Sequence, residues 1–315
     1  MNTPLVTIGL ITYNSADFIE ETLDSIYNQD YKNIELIVSD DCSTDNTVDL
    51  CRNWISQHEG RFNRVKLVVS EKNTGLSGNS NRAFNEARGE WYKSFDGDDI
   101  MAPDAIKSYV NFVNEHPEAM QVVAKVVNFN GRAEWHGDKL DNLTKYVCRE
   151  SATAENQLPI ITKFLFFRGT SHFARTNAIR SVGAFDERFP LLEDQPLFIK
   201  LIGSGYKVYF IDKTLIKYRV REDSTAHSSK HDSVFTNNII RQYLDYRMLF
   251  RIEYSTRFWK LMNYFSIWMV SNIVKLGNNQ SFVCKSLFMI YRMIDPIIWY
   301  NRFLFFKSFL YHFKH

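Results

Sequence analysis

Residues 6–41 read VTIGLITYNSADFIEETLDSIYNQDYKNIELIVSDD. Val6–Tyr13 is an apolar, β-branched run that stops at Asn14-Ser15, which marks a strand and its end. Phe18, Ile19, Leu23, Ile26 and Tyr27 then recur at helical spacing, with Asn14 or Ser15 as the expected N-cap. Ile34–Ser39 is a second apolar run, and it ends in Asp40-Asp41. A strand, a helix and a second strand joined this tightly predict a parallel pair with a crossover helix.

The same alternation continues outward. Val48, Cys51, Trp54 and Ile55 mark a second helix, Val65–Ser70 a third strand, and Leu76, Ala83, Phe84 and Ala87 a third helix. Trp91–Phe95 is the fourth strand and runs into Asp96-Gly97-Asp98-Asp99. Near-continuous apolar strands predict a sheet buried on both faces. In such a sheet ligands bind beyond the carboxyl ends of the strands. Thr12-Tyr13-Asn14, Asp40-Asp41 and Asp96–Asp99 all fall there, so three polar clusters are expected along one edge. Pro103 sits where another helix should begin, and that helix should end near His116-Pro117. Gln121–Phe129 reads as a further strand. Residues from about 130 to 180 mix helix and strand signals, and the chain from about 235 onward reads as helical and aromatic.

With 315 residues and 45% apolar content, the chain can bury a substantial core. A net charge of +2 gives no case for nucleic acid as a partner. The charge is unevenly placed, however: residues 251–315 carry nine Lys or Arg against Glu253 and Asp295 alone. Cys42, Cys51, Cys148 and Cys284 match neither a zinc site nor a disulfide framework. Met1–Pro4 is too short for a secretory signal, so the expected compartment is the reducing cytoplasm.

Asp96-Gly97-Asp98-Asp99 is the sharpest chemical feature. Three carboxylates within four residues repel one another unless a cation or hydrogen-bond donors compensate. Hard oxygen ligands at a strand end suit Mg²⁺ or Mn²⁺, which in turn suit a diphosphate. A solvated acidic turn is the plainer alternative. Asp41 could accept a hydrogen bond from a nucleotide base while Ser43 or Thr44 caps the following helix. Tyr13 could stack on that base or simply pack. Glu193-Asp194 offers a carboxylate to take a proton from an attacking hydroxyl. Acids are also common in the first turn of a helix, and Asp194 stands at the start of such a pattern.

In order and spacing, Thr12-Tyr13-Asn14, Asp40-Asp41-Cys42-Ser43-Thr44-Asp45, Asn73-Thr74-Gly75, Asp96–Asp99 with Pro103, Gly183-Ala184-Phe185-Asp186-Glu187 and Glu193-Asp194 resemble the family 2 glycosyltransferases. The resemblance covers roughly residues 4–225. It implies a single Rossmann-like α/β domain of the GT-A type with a mixed central sheet, followed by a C-terminal helical segment. It also implies an enzyme that inverts at the anomeric carbon, with a UDP-sugar as default donor. The acceptor would be a hydroxyl of a glycan or lipid-linked molecule in bacterial surface-polysaccharide assembly, such as O-antigen or capsule. Residue by residue, it implies Thr12, Tyr13, Asn14, Asp41, Asn73, Asp96 and Asp98 at the nucleotide sugar. Asp99, with Asp98, would hold Mn²⁺ or Mg²⁺, and Asp194 would be the base, steadied by Glu193.

The sequence departs from the family pattern at several positions. The usual Gly after the Asp pair is Cys42, and the usual Ala-Arg-Asn is Asn79-Ser80-Asn81, with Arg82 adjacent. Pro196 replaces a frequent second acid. Arg221 stands where many members place a His, so Arg219 and Arg221 either meet diphosphate or form structural ion pairs. Arg168, Thr170, Ser171 and His172 lie where members shape the acceptor side; a satisfied surface histidine is the simpler reading of His172.

Residues 1–230 are therefore expected to form the catalytic domain, and residues 231–315 an aromatic, basic helical segment. Its longest charge-free run, Leu261–Val274, falls short of the roughly 20 residues needed to span a bilayer. Trp, Tyr, Phe and Leu mixed with Lys and Arg suit an anionic membrane surface, here the inner face of the cell membrane. A helical hairpin packed on protein is the alternative. Two other functions fit acids near a nucleotide: a metal-dependent nucleotidyltransferase, and a non-catalytic assembly subunit with the transferase fold. The first lacks its Gly-rich, Lys-bearing phosphate loop, and the second has no use for clustered carboxylates.

Overall fold

The structure is a computed structural model that describes residues 2–131, 133–136, 138–162, 167–221, 233 and 256–294. It divides into two compact units. One comprises residues 1–158 and 166–219, the other residues 159–165 and 220–315.

The first unit is built on a nine-stranded sheet. Strands β1 (Val6–Thr12), β2 (Ile34–Asp40), β3 (Arg64–Val69) and β4 (Trp91–Asp96) lie in the order β3-β2-β1-β4, every pair parallel. Helices α1 (Ile19–Tyr27), α2 (Thr47–His58) and α3 (Gly75–Asn85) are the crossovers. All seven residues of β1 and of β2 are buried, which is why these segments carry apolar runs rather than alternation.

Beyond β4 the sheet becomes mixed. The chain passes through β5 (Ile100–Met101), α4 (Ala105–Glu115), β6 (Gln121–Phe129), β7 (Glu134–His136), α5 (Asp138–Val147) and α6 (Ala154–Ile161). It continues through β8 (Phe173–Arg175), α7 (Thr176–Ser181), α8 (Asp194–Gly203) and β9 (Val208–Arg219). Strand β8 is antiparallel to both β4 and β6, and β6 is parallel to β9. Strand β5 then pairs with the far side of β9, matching Ile100 to Lys217. Only Gly97–Asp99 separate β4 from β5, a reach of at most ~14 Å. The sheet must therefore curl until the end of β9 stands beside the end of β4. That curl builds the site.

Two cores cover the sheet. Leu23 and Ile26 of α1, Trp54 of α2 and Ile106, Tyr109 and Val110 of α4 pack on one face. Phe84 of α3, Ile179 of α7 and Leu197 and Leu201 of α8 join Tyr92 on the other. The second unit contains α9 (Arg257–Lys275) and α10 (Phe282–Ile294), whose own core is Met269, Val270, Ile273, Cys284 and Tyr291.

Two cap expectations are corrected. Helix α1 begins after a turn in which the Ser15 carbonyl receives the N–H groups of Phe18 and Ile19, with no side-chain cap. At α2 the N-cap is Asn46, without a side-chain cap; Asp45 before it accepts from Thr47 N–H and Oγ1, while Ser43 and Thr44 bond to Asp40 and Asn14.

Candidate functional site

The three polar clusters meet at the carboxyl ends of β1, β2 and β4. After β2, almost every polar group is used internally. Asp40 accepts from Thr12 Oγ1 at 2.9 Å and from the Ser43 N–H at 2.8 Å. Thr12 is thereby turned inward and buried, while Asn14 Oδ1 accepts the Thr44 N–H at 2.8 Å. Of the Thr12-Tyr13-Asn14 trio, Tyr13 is the one that presents a large side chain to solvent. Asp41 is buried and heavily engaged. It accepts from the N–H groups of Thr74 (2.9 Å) and Gly75 (2.7 Å), from Thr74 Oγ1 (2.7 Å) and from Arg82 (3.3 Å). A carboxylate has about four acceptor positions, so Asp41 can meet a base N–H only by sharing one of them. Arg82 also reaches Asn79 Oδ1 at 2.9 Å.

The Asn73-Thr74-Gly75 turn owes its shape to Gly75, whose φ of +79° is in the left-handed region. A Cβ there would stand 2.4 Å from the Pro190 carbonyl oxygen. Ser77, one turn into α3, donates to the carbonyl of Phe189 at 2.7 Å. Asn81 holds the backbone of Phe185 by both its amide atoms. These bonds fix the segment that leads to Glu193-Asp194. Asn73 itself is exposed, its Oδ1 accepting the Gly75 N–H at 3.2 Å.

The loop after β4 differs. Asp99 is fully buried; its Oδ1 accepts the Arg219 N–H at 2.9 Å, and its Oδ2 has no hydrogen-bond partner among the described residues. Burial, then the charges of Asp98 and Asp96, push the Asp99 carboxyl well above the usual range. Burial and Asp98 also raise Asp96, to about 7, and Asp194 adds to that effect. Asp194 lies in the first turn of α8 and is raised to about 6 by burial, partly opposed by the N–H groups of Gln195 and Gly169. Burial, Asp194 and Asp96 raise Glu193 as well. Separated by almost a hundred residues, Asp194 thus lies close enough to act on Asp96, and Asp96 on Glu193.

Arg219 serves as a brace. Its Nε donates to the Asp98 carbonyl at 2.8 Å, its Nη2 meets Glu21, and its guanidinium lies between the rings of Phe18 and Phe129. Of the two readings of this arginine, the bonds present are those of the structural ion pair. His172 corrects the expectation of a surface histidine. It is buried, bonded to Gln121 Oε1 at 3.1 Å, and held neutral by burial, which lowers it to about 3.

The residues fit a divalent cation. Asp99 Oδ2 is buried with no hydrogen-bond partner among the described residues, and it stands among carboxyls whose mutual repulsion Lys93 only partly offsets, so the loop suits a cation. Among the described residues no three His, Cys, Asp or Glu form a complete cage. A hard cation held by one or two carboxylates and by substrate phosphates needs none.

This arrangement accompanies a match of residues 7–189 to the sequence profile described as "Glycosyl transferase family 2". The chain belongs to that family. As a family 2 glycosyltransferase it is similar to the Bacillus subtilis "Putative glycosyltransferase EpsE", at 26% identity over 248 residues, covering 78% of this chain and 83% of that protein. It is 23% identical to the B. subtilis "Putative teichuronic acid biosynthesis glycosyltransferase TuaG", covering 83% of this chain and 94% of the other. In fold it resembles residues 1–349 of S. aureus TarS, solved in complex with UDP-GlcNAc. The TM-score is 0.62 at 20% identity, with 96% and 89% of the two chains covered. The mixed central sheet expected for this transferase is the one observed.

Sequence reasoning missed two residues at the site, Lys93 and Gly169. A lysine inside the otherwise apolar run Trp91–Phe95 was the available signal for the first. Gly169 had none, since its neighbour Asp194 is remote in sequence.

Proposed function

We propose that this chain transfers a sugar, with inversion, from a UDP-sugar to a hydroxyl of a glycan or lipid-linked acceptor in bacterial surface-polysaccharide assembly. The observation that carries this reading is Asp194, set at the head of α8 and coupled by charge to the Asp96–Asp99 loop. Such an arrangement supports reading Asp194 as a proton acceptor near the acid loop that would meet the diphosphate. Asp194, ionised, takes the proton from the attacking hydroxyl, and a carboxyl near 6 suits that task at neutral pH. Glu193 supports it. Tyr13 offers an exposed ring for the base, with Thr12, Asn14, Asp41 and Asn73 forming the pocket wall behind it, and Asp96 and Asp98 facing the ribose. Asp99, with Asp98, would hold Mn²⁺ or Mg²⁺, and the bound cation would neutralise charge on the departing diphosphate. Arg219 keeps the loop in place for either. The name TuaG favours a surface polymer, and the TarS complex favours UDP.

We assign residues 1–230 to catalysis and residues 231–315 to peripheral attachment at the cytoplasmic membrane face. Residues 256–294 hold Arg257, Lys260, Lys275, Lys285 and Arg292 and no acid. Phe258, Leu261 and Trp268 of α9, and Phe282, Met289 and Met293 of α10, point away from the hairpin's own core. Among the described residues no helix is long and apolar enough to cross a membrane. Apolar stripes with basic flanks bind anionic lipid surfaces.

The test is calorimetric titration with UDP and Mn²⁺, then a panel of nucleotide sugars with transfer read as nucleoside diphosphate release. Metal-linked UDP binding and release that falls about 10²–10⁴-fold in Asp194→Asn are expected. Pyrophosphate release from a nucleoside triphosphate would instead mark a nucleotidyltransferase. No nucleotide binding at all would mark an assembly subunit.

A further inference from the structure

Lys93 occupies the third position of β4, three residues before the acid loop, and is completely buried. Buried lysines normally face a carboxylate. This one feels the charges of Asp96 and Asp99 but gives its Nζ to two backbone carbonyls, Ser94 at 2.7 Å and Thr170, and lies 5.1 Å from the centre of the Phe95 ring. An ammonium has three donors and no acceptor, so it can tie two carbonyls from separate segments where a neutral side chain of equal length could only fill space.

The segment it ties is the single turn Gly169–Ser171. From the opposite end, Tyr109 Oη donates to the Ser171 carbonyl at 2.7 Å. The turn closes on itself through the His172 N–H, which meets the Gly169 carbonyl at 2.8 Å. Its first residue abuts Asp194: the Gly169 N–H favours the ionised carboxylate. A Cβ on Gly169 would lie 2.6 Å from Asp194 Cβ and 2.8 Å from Oδ2. Its second residue, Thr170, is the one whose carbonyl takes the Lys93 Nζ. One short turn therefore abuts the candidate proton acceptor at its first residue and is tied at its second to the strand that ends in the acid loop.

We propose that the Gly169–Ser171 turn, fastened to β4 by Lys93, is the spacer that sets Asp194 relative to the Asp96–Asp99 loop, with Lys93 and Gly169 as positioning residues for proton transfer. This rests on the reading of Asp194 as the base. Gly169 supplies contact without bulk, and Lys93 stops the turn from drifting off the strand that carries the acid loop. Neither touches substrate.

The test measures kcat for transfer and the Kd of UDP with Mn²⁺ in Gly169→Ala and Lys93→Met, each checked for folding by its melting curve. Since a misplacement of about 1 Å can cost about 10²-fold, kcat should fall at least ~10-fold in either variant while the Kd stays within about 2-fold. The acid limb of kcat should also rise in Gly169→Ala, because the added Cβ pushes the carboxylate off the backbone N–H that favours its charge. In an Asp194→Asn background the same substitutions should lower the remaining rate by less than about 2-fold, as residues acting through one group are not additive. Full kcat in Gly169→Ala, or an equal loss in both backgrounds with an unmoved acid limb, overturns the proposal. If Lys93→Met does not fold, Gly169→Ala decides alone. Should Asp194→Asn itself transfer normally, the base assignment fails first, and that outcome is distinct.

Discussion

Two acidic stretches sit side by side at the end of one sheet and are chemically opposite. The stretch after β2 uses its carboxylates on its own backbone: Asp40 holds Ser43, Asp41 holds Thr74 and Gly75, and Asp45 holds Thr47. In the stretch after β4, Asp99 Oδ2 is buried with no hydrogen-bond partner among the described residues, and burial raises the carboxyls of Asp99 and Asp96. Satisfied acids make a frame, and unsatisfied acids wait for a ligand. Hydrogen-bond accounting separates the two where composition cannot.

The strongest way to break this contrast is Asp99→Asn. Transfer should drop about 10²–10³-fold, the scale of losing one preorganised electrostatic group. The apo protein should melt no lower than the parent, because a neutral amide relieves repulsion among buried acids. Parallel loss of melting temperature would place Asp99 in the frame instead.

Next in size is the pH dependence of apo stability. The folded-state values of Asp96 (about 7) and Asp194 (about 6) lie above those of an unfolded chain, near 3.9. The native state then holds protons that the unfolded state has released, so the stability these groups contribute is complete below about pH 4 and fades up to about pH 7. Melting curves from pH 5 to 8 should descend, and Asp99→Asn should flatten the descent. An ascent would show that the loop already has its counter-charge.

Asp41→Asn sharpens the other half. Its amide would face donors with a donor, leaving a buried mismatch that costs about 1–3 kcal/mol. Denaturant unfolding should report that loss, with transfer by the folded fraction far less affected than in Asp99→Asn. The smallest effect is expected at Cys42, which stands at φ +67° in the Asp41–Asp45 turn. Cys42→Gly should stabilise by about 1 kcal/mol, read as a raised denaturation midpoint with kcat unchanged.

Legibility in the sequence followed length and locality. Strands β1 and β2 are readable because strands buried along their whole length are written as apolar runs, and β3, β4 and β6 because their runs are largely apolar despite Lys66, Lys93 and Lys125. Val65–Ser70, for example, became Arg64–Val69. Strand β8 has three residues and pairs antiparallel on both sides, too short for any period to show. Helix caps were misread because Ser43 and Thr44 answer Asp40 and Asn14 across the cluster rather than the helix below them. Asp194 and Glu193 could be singled out only through resemblance to a family, since no local pattern separates a base from an ordinary helix-start acid. His172 looked like a surface residue because its shelter, Phe198 and Gln121, comes from distant segments.

The bond from Arg219 Nε to the Asp98 carbonyl spans 121 positions of the chain. During synthesis from the N-terminus, the parallel half of the sheet can assemble long before β9 leaves the ribosome. The acid loop meanwhile hangs beside an open edge. Because distant pairings form late, affinity for the donor should be the last property this polypeptide acquires. A nascent chain stalled short of residue 219 would then be folded in part and inert.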